Sequence, residues 1–208
     1  MSQRNNGAAM LDRAAVAQVI ANWAAWRDRP DWERLATCFH EDGIIAVSWF
    51  AGPHQAFIAA CQDMARAAGP GESTRHFFGL PWTETAGDRA IAETAAVVQI
   101  RARVEGVEAD LHSWLRFNDF LERRAGVWRI ARRVAIYDKD RMDPVSAADA
   151  GFAERYRRID FSRFPANCRH LCWFLAGRGY SISETLVEAR SPAETALRRE
   201  ADDWLRGG

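Results

Sequence analysis

The sequence predicts an α+β fold, a cone-shaped curved antiparallel sheet covered by N-terminal helices, with a C-terminal helical extension. Three observations carry this. Apolar residues recur at helical spacing in three segments of residues 11–68. Residues 74–138 switch to strand-like segments broken by short glycine turns. After Asp143-Pro144 the pattern returns to helix. The 208 residues suit one domain with an appendage, and 48% hydrophobic content with nine tryptophans supplies a sizeable core.

Residues 1–8 read as a polar tail. Leu11, Val16, Ile20, Trp23 and Ala24 predict a helix over 11–27. Pro30-Asp31 opens a shorter helix with Trp32, Leu35 and Phe39, capped by Asp31 and ended at Asp42-Gly43. Ile44 to Phe50 is a short apolar strand, and Gly52-Pro53 is a breaker. A third helix covers 54–68, with Phe57, Ile58, Cys61 and Met64 on one side, and Gly69-Pro70-Gly71 ends it. Long strands then run from Thr74 to Asp138, divided at Gly87-Asp88, Glu105-Gly106 and Ala125-Gly126. Such short turns make neighbours antiparallel. In segment 108–122, Leu111, Ser113, Leu115 and Phe117 share one face, and Asp110, His112, Trp114, Arg116 and Asn118 share the other. The cone domain spans 9–143 and the extension 144–208. Within the extension, Ser181 to Glu184 and Ser191 to Glu194 both fit a capping box, the second with Pro192 at the first helical position. The last helix covers about 192–206, with Ala193, Leu197 and Trp204 on one side.

Composition excludes several functions. A formal net charge of zero argues against a nucleic-acid binder. No run of about 18 apolar residues exists, so no membrane span is expected. The N-terminus is polar with no apolar stretch behind it, so a cytoplasmic location is expected. Lys139 is the only lysine among 28 basic residues and lies in a polar run, a poor setting for Schiff-base chemistry. The cysteines Cys38, Cys61, Cys168 and Cys172 read as reduced, buried thiols. Cys168 and Cys172 share a helix face, but no further ligands are spaced for a metal, so none is expected.

Two residues carry the chemistry. Asp28 ends the first helix, where the macrodipole disfavours a carboxylate unless it has a specific partner. His76 lies in the segment Ser73 to Gly79. A carboxylate bonded to one ring nitrogen fixes the tautomer and leaves the other nitrogen free to take a proton. The surrounding aromatics Trp23, Trp26, Trp49, Phe50 and Phe78 are candidates for the walls of a small-molecule pocket. His40 and His54 are expected to be exposed, and His112 to share a face with Trp114 and Arg116, away from the pocket.

Residues 11–143 resemble the nuclear transport factor 2-like superfamily, in particular its SnoaL-like branch and scytalone dehydratase. Three stretches carry the likeness: Trp23 to Leu35, Thr74 to Gly79, and the hairpin Phe120 to Ile130. The resemblance implies a cone with a deep pocket at its open end, acid–base chemistry without metal or organic cofactor, and a homodimer. Asp28 falls on the catalytic aspartate position of scytalone dehydratase and hexachlorocyclohexane dehydrochlorinase, and His76 on a catalytic histidine position of both. The departures are specific. The stretch Val97 to Arg101 lacks a second histidine, Arg27 and Val47 stand where scytalone dehydratase has two tyrosines, and Leu115 and Phe117 replace polar residues. The expected pocket is therefore dry, with Leu115 and Phe117 on its wall.

The expected function is a cofactor-free lyase or isomerase acting on an apolar, ring-containing molecule. The alternatives are a non-catalytic ligand-binding or assembly module on the same fold and, more weakly, a β-subunit of a ring-hydroxylating dioxygenase. The extension is expected to pack outside the sheet, form a dimer interface, or close the pocket through Tyr156, Phe161 and Phe164.

Overall fold

A computed structural model describes the backbone of residues 2–146 and 150–207. Helix α1 (Ser2–Asp28) begins well before the expected boundary, so residues 2–8 are helical rather than a tail. Its buried stripe is Val16, Ile20 and Trp23, whereas Leu11, expected in that stripe, projects from the surface. The short helix α2 (Trp32–Ala36) starts where Asp31 accepts a hydrogen bond from the Arg34 backbone N–H.

Strand β1 (Phe39–Val47) includes Asp42-Gly43, which the sequence pattern read as a break. The pair forms an irregularity inside the strand, between Phe39 and Ile44. Gly43 is required there: a Cβ would lie 2.9 Å from two backbone carbonyl oxygens, those of His40 and Ile130. The chain turns at Ser48-Trp49 into β2 (Phe50–Pro53), which absorbs the expected breaker, and helix α3 (His54–Ala67) follows.

The remaining strands are β3 (Ser73–Phe78), β4 (Trp82–Ala86), β5 (Arg89–Val104), β6 (Val107–Arg124) and β7 (Val127–Pro144). The hairpins turn where glycine punctuation placed them. Glu105-Gly106 and Ala125-Gly126 take positive φ at both residues, as a tight two-residue turn demands. The sheet order is β2-β1-β7-β6-β5-β3, with β4 beside β3 on the β5 edge. It is not wholly antiparallel: β1 pairs with β7 in parallel, because the chain reaches that edge through the helical pair. Between Trp114 and Leu115 of β6, β7 carries one extra residue. The bulge lets Tyr137 on one side and Met142 on the other both enter the inner core.

After β7 come α4 (Ala150–Arg157), a single turn at Ala166–Cys168, α5 (Arg169–Ala176), β8 (Val187–Glu188) and α6 (Pro192–Arg206). Ser191 caps α6 as predicted, and Glu194 reaches back to the Arg190 N–H and across to Arg116 of β6. The Ser181–Glu184 capping pattern starts no helix. That stretch is held instead by the Ser183 N–H on the Ser48 carbonyl, then enters β8 beside β7. The extension serves two layers. Helix α6 covers the outer face through Leu197 and Ala201 against Ile91, Phe120, Val134 and Ile136, while α5 joins the inner core. Among the described residues no helix is long and apolar enough to cross a membrane.

Candidate active site

The inner face of the sheet, α1, α3 and α5 enclose a cavity of about 350 Å³. Its wall is mainly apolar, with Val47, Phe57, Val98, Leu115, Phe117, Leu171, Phe174 and Leu175. Asp28 and His76 both lie on it.

The last turn of α1 runs past β3, and three contacts join the two elements. His76 Nδ1 is 2.6 Å from Asp28 Oδ1, and the His76 backbone N–H donates to Asp28 Oδ2 at 2.9 Å. Arg75 donates to the Asp28 backbone carbonyl at 3.0 Å, using one of the acceptors left over at the helix end. Trp23, one turn earlier on α1, meets the imidazole edge-on with centroids 5.8 Å apart. An ionised carboxylate can only accept, so Nδ1 carries the ring proton and Nε2 keeps its lone pair. Nε2 has no hydrogen-bond partner among the described residues.

Burial pushes the imidazole pKa below its ordinary 6.5, against the upward pull of Asp28, so the ring is neutral at pH 7. Burial also pushes the Asp28 carboxyl upward. The hydrogen bonds and charge from His76, with Arg75 nearby, outweigh that and leave it below its ordinary 3.8. The arrangement is a neutral base held by an ionised carboxylate.

Behind the wall, Arg133 and Asp119 form a fully buried pair at 2.6 and 2.8 Å. The guanidinium carbon lies 4.3 Å from the Trp23 ring centroid and 4.5 Å from that of Phe117. This contact fixes two wall residues and puts a positive charge near His76, which further disfavours the imidazolium.

Of the residues read from sequence as wall candidates, Trp23, Trp49, Leu115 and Phe117 line the cavity. Trp26, Phe50 and Phe78 do not. Phe78 stacks on Trp23 at 5.8 Å and Phe50 meets Phe57 at 5.7 Å, so both support the wall from behind, and Trp26 packs on the core. Arg27, Val47 and Arg101 reach the cavity. His40 and His54 are buried rather than exposed. His40 Nε2 meets the Glu122 carbonyl at 2.9 Å, and His54 stacks on Phe39 with Nδ1 near the Gly43 carbonyl. His112 stacks with Trp114 and is absent from the cavity wall. All four cysteines are free and buried, and no group of His, Cys, Asp or Glu among the described residues is arranged to hold a metal.

Sequence reasoning missed several wall residues: Ser48 in the β1–β2 turn, Tyr137 on β7, the Glu72–Arg178 pair, and the α5 residues. Leu171, Phe174 and Leu175 stand at i, i+3 and i+4, a stripe that was present to be read. Tyr156 and Phe161 form a separate cluster with His170 rather than a lid, and Phe164, also absent from the wall, packs on the core.

The SnoaL-like domain family matches residues 8–134. The chain belongs to that family. Pea pathogenicity protein 2 of Fusarium vanettenii is 29% identical over 98% of this chain and 91% of its own length. The match of this SnoaL-like chain to that relative runs through the extension as well as the cone. Among solved structures, a candidate scytalone dehydratase from Novosphingobium aromaticivorans superposes with a TM-score of 0.55 at 15% identity, covering 67% of this chain and 97% of that one. A hexachlorocyclohexane dehydrochlorinase gives a TM-score of 0.52 at 18% identity, covering 66% and 91%. At such identities the likeness is one of fold.

Proposed function

We propose that this SnoaL-like protein is a cofactor-free lyase or isomerase for an apolar, ring-containing substrate, with His76 as general base. The observation that carries the reading is the neutral imidazole on the cavity wall, bonded through Nδ1 to Asp28 and free at Nε2. Nε2 takes a proton from a carbon acidified by a neighbouring carbonyl or leaving group. In elimination, the released electron pair forms the new double bond as the leaving group departs from the adjacent carbon. In isomerisation, the proton returns at another carbon. Asp28 orients the ring and stabilises the imidazolium that forms. Scytalone dehydratase and hexachlorocyclohexane dehydrochlorinase supply the fold analogy and nothing finer.

The test is a panel of ring compounds carrying a halide or hydroxyl β to an acidic C–H, followed by ultraviolet absorbance. At least one should be turned over, and His76→Ala should lower that rate by about two orders of magnitude. Turnover that survives intact in His76→Ala removes this mechanism.

A non-catalytic ligand-binding module is the second reading. One observation favours it: His76 is the only histidine among the described residues on the cavity wall, so no second imidazole is in place to assist a leaving group. Tight binding with no turnover across the panel would select it.

A further inference from the structure

The cavity is dry on most of its surface, yet the hydroxyls of Tyr137 on β7 and of Ser48 in the β1–β2 turn lie together on its wall. Tyr137 lies on the wall and is 3% exposed. Its hydroxyl oxygen accepts the Ser48 backbone N–H at 2.8 Å. The phenolic proton has no acceptor among the described residues beyond the neighbouring Ser48 side chain. Burial pushes the phenol pKa up, so the group stays protonated and is a donor at any ordinary pH. Ser48 also lies on the wall, and its Oγ is buried with no hydrogen-bond partner. Buried polar groups are almost always paired; with one of these hydroxyls donating to the other, one proton is still left over, and in an apolar cavity it calls for an acceptor.

Their placement relative to the base follows from register. His76 on β3 pairs with Val98 of β5, which pairs with Ser113 of β6. Tyr137 pairs with Leu115, two residues along β6 and one strand further over. Tyr137 and His76 therefore stand three strands apart on a curved sheet, on different walls of one cavity. The backbone around both hydroxyl residues is held by the extension. Ser183 N–H takes the Ser48 carbonyl at 2.7 Å, and Ala189 N–H and the Asn167 side-chain amide take the Tyr137 carbonyl at 2.9 and 3.1 Å.

We infer that Tyr137 and Ser48 form a hydrogen-bonding subsite for a carbonyl oxygen of the ligand. Both hydroxyls can donate, and a carbonyl oxygen offers two lone pairs and no proton of its own. The ligand class is then a ring ketone or quinone whose oxygen sits against Tyr137 while its apolar body fills the space toward His76. This rests on the cavity being a ligand site and is independent of proton abstraction by His76.

The probes are 1-tetralone and tetralin, which share a bicyclic skeleton and differ at the carbonyl. Affinities can be read from the fluorescence of Trp23 and Trp49 on the wall. The wild-type chain should bind 1-tetralone about fivefold to tenfold more tightly than tetralin, the worth of a net hydrogen bond. Tyr137→Phe should remove most of that preference and leave tetralin affinity unchanged, which also shows that the cavity is intact. Ser48→Ala should reduce the preference by a smaller factor without removing the Tyr137 acceptor of its backbone N–H. Equal affinity for the two probes, failure of both to bind, or a preference that persists in Tyr137→Phe overturns the inference. None of these readings requires turnover, so failure here leaves the His76 mechanism standing, and failure of that mechanism leaves the subsite standing.

Discussion

His76 is a base whose strength is set by two opposed influences, and its position between them has consequences that can be measured. Burial lowers its pKa below 6.5 and Asp28 raises it, with burial prevailing. Activity that depends on the neutral ring should rise with pH through a value below 6.5 and then stay level through neutrality; a pH profile of kcat/KM reads this directly. In Asp28→Asn the upward pull is gone, so the imidazole should titrate lower still. Carbon-13 NMR of the ring checks this, and an unchanged titration would show that the carboxylate does not act on the ring. The same shift bears on stability. The folded protein binds the His76 proton less well than the unfolded chain, so the contribution is complete above pH 6.5 and is lost as pH falls through the lowered folded value. Asp28, also lowered, adds a second loss beginning below pH 3.8. The fall in melting temperature from pH 8 to pH 5.5 should therefore be smaller in His76→Gln than in the wild type, read by calorimetry. The pair itself was legible in the sequence, because a carboxylate at a helix C-terminus and a histidine in an aromatic strand both need explaining. Tyr137 and Ser48 were not legible. Whether a tyrosine proton is free depends on which group occupies its oxygen, and that partner is 89 positions away.

Helix α5 and strand β7 are tied by a second carboxylate–imidazole pair, built like the first. His170 Nδ1 is 2.6 Å from Asp140 Oδ1, and the Leu171 N–H donates to Asp140 Oδ2 at 2.9 Å. Here the other ring nitrogen is taken, by the Tyr156 hydroxyl at 2.6 Å, and the ring is not on the cavity wall. The role is therefore structural: it latches the helix that carries Leu171, Phe174 and Leu175 onto the sheet. His170→Ala leaves a nearly buried carboxylate and a tyrosine without their partner. It should cost about 1–3 kcal/mol in urea denaturation. On the strand next to β7, the irregularity in β1 depends on Gly43. Gly43→Ala would press a methyl group against two backbone carbonyls and should cost about 1–3 kcal/mol by the same measurement. Among the elements, the hairpins of β5 to β7 and the last helix were legible, because glycine turns and a capping box with Pro192 are local signals. Strand β1 was read too short and the 181–184 capping box was read as a helix start. In both cases a tertiary hydrogen bond decided the outcome, through Ile130 N–H on the Cys38 carbonyl and Ser183 N–H on the Ser48 carbonyl.

The whole molecule is a cone closed by its own C-terminal segment. The family match ends at residue 134, while Tyr137 and the α5 residues lie beyond it, so the cavity of this chain is completed outside the part that defines the family. Composition and periodicity showed that an extension exists and is helical. They could not show that one of its helices faces inward and another outward, since both present an apolar stripe. The closure has a release point. Arg178, just after α5, clasps Glu72 in the loop between α3 and β3 through two N–H groups, one of them at 3.0 Å. Its guanidinium also lies 4.0 Å from the Phe174 ring centroid. Both charged residues lie on the cavity wall, and the hydrogen bonds from Arg178 hold the Glu72 carboxyl below its ordinary 4.5. Arg178 is about one-third exposed, so solvent and salt screen the pair, and it is worth about 1 kcal/mol. A contact of that size does not hold the fold together, but it can set how often α5 lifts. Arg178→Ala should raise amide hydrogen exchange in residues 169–176 about fivefold while leaving β5 and β6 unchanged. Sodium chloride at about 0.5 M should produce much of the same rise in the wild type and little in the variant. Acidification below pH 4.5, toward the lowered Glu72 value, should do so as well, because the clasp needs the carboxylate ionised. If exchange in α5 is the same with and without Arg178, the clasp plays no part in opening the cavity.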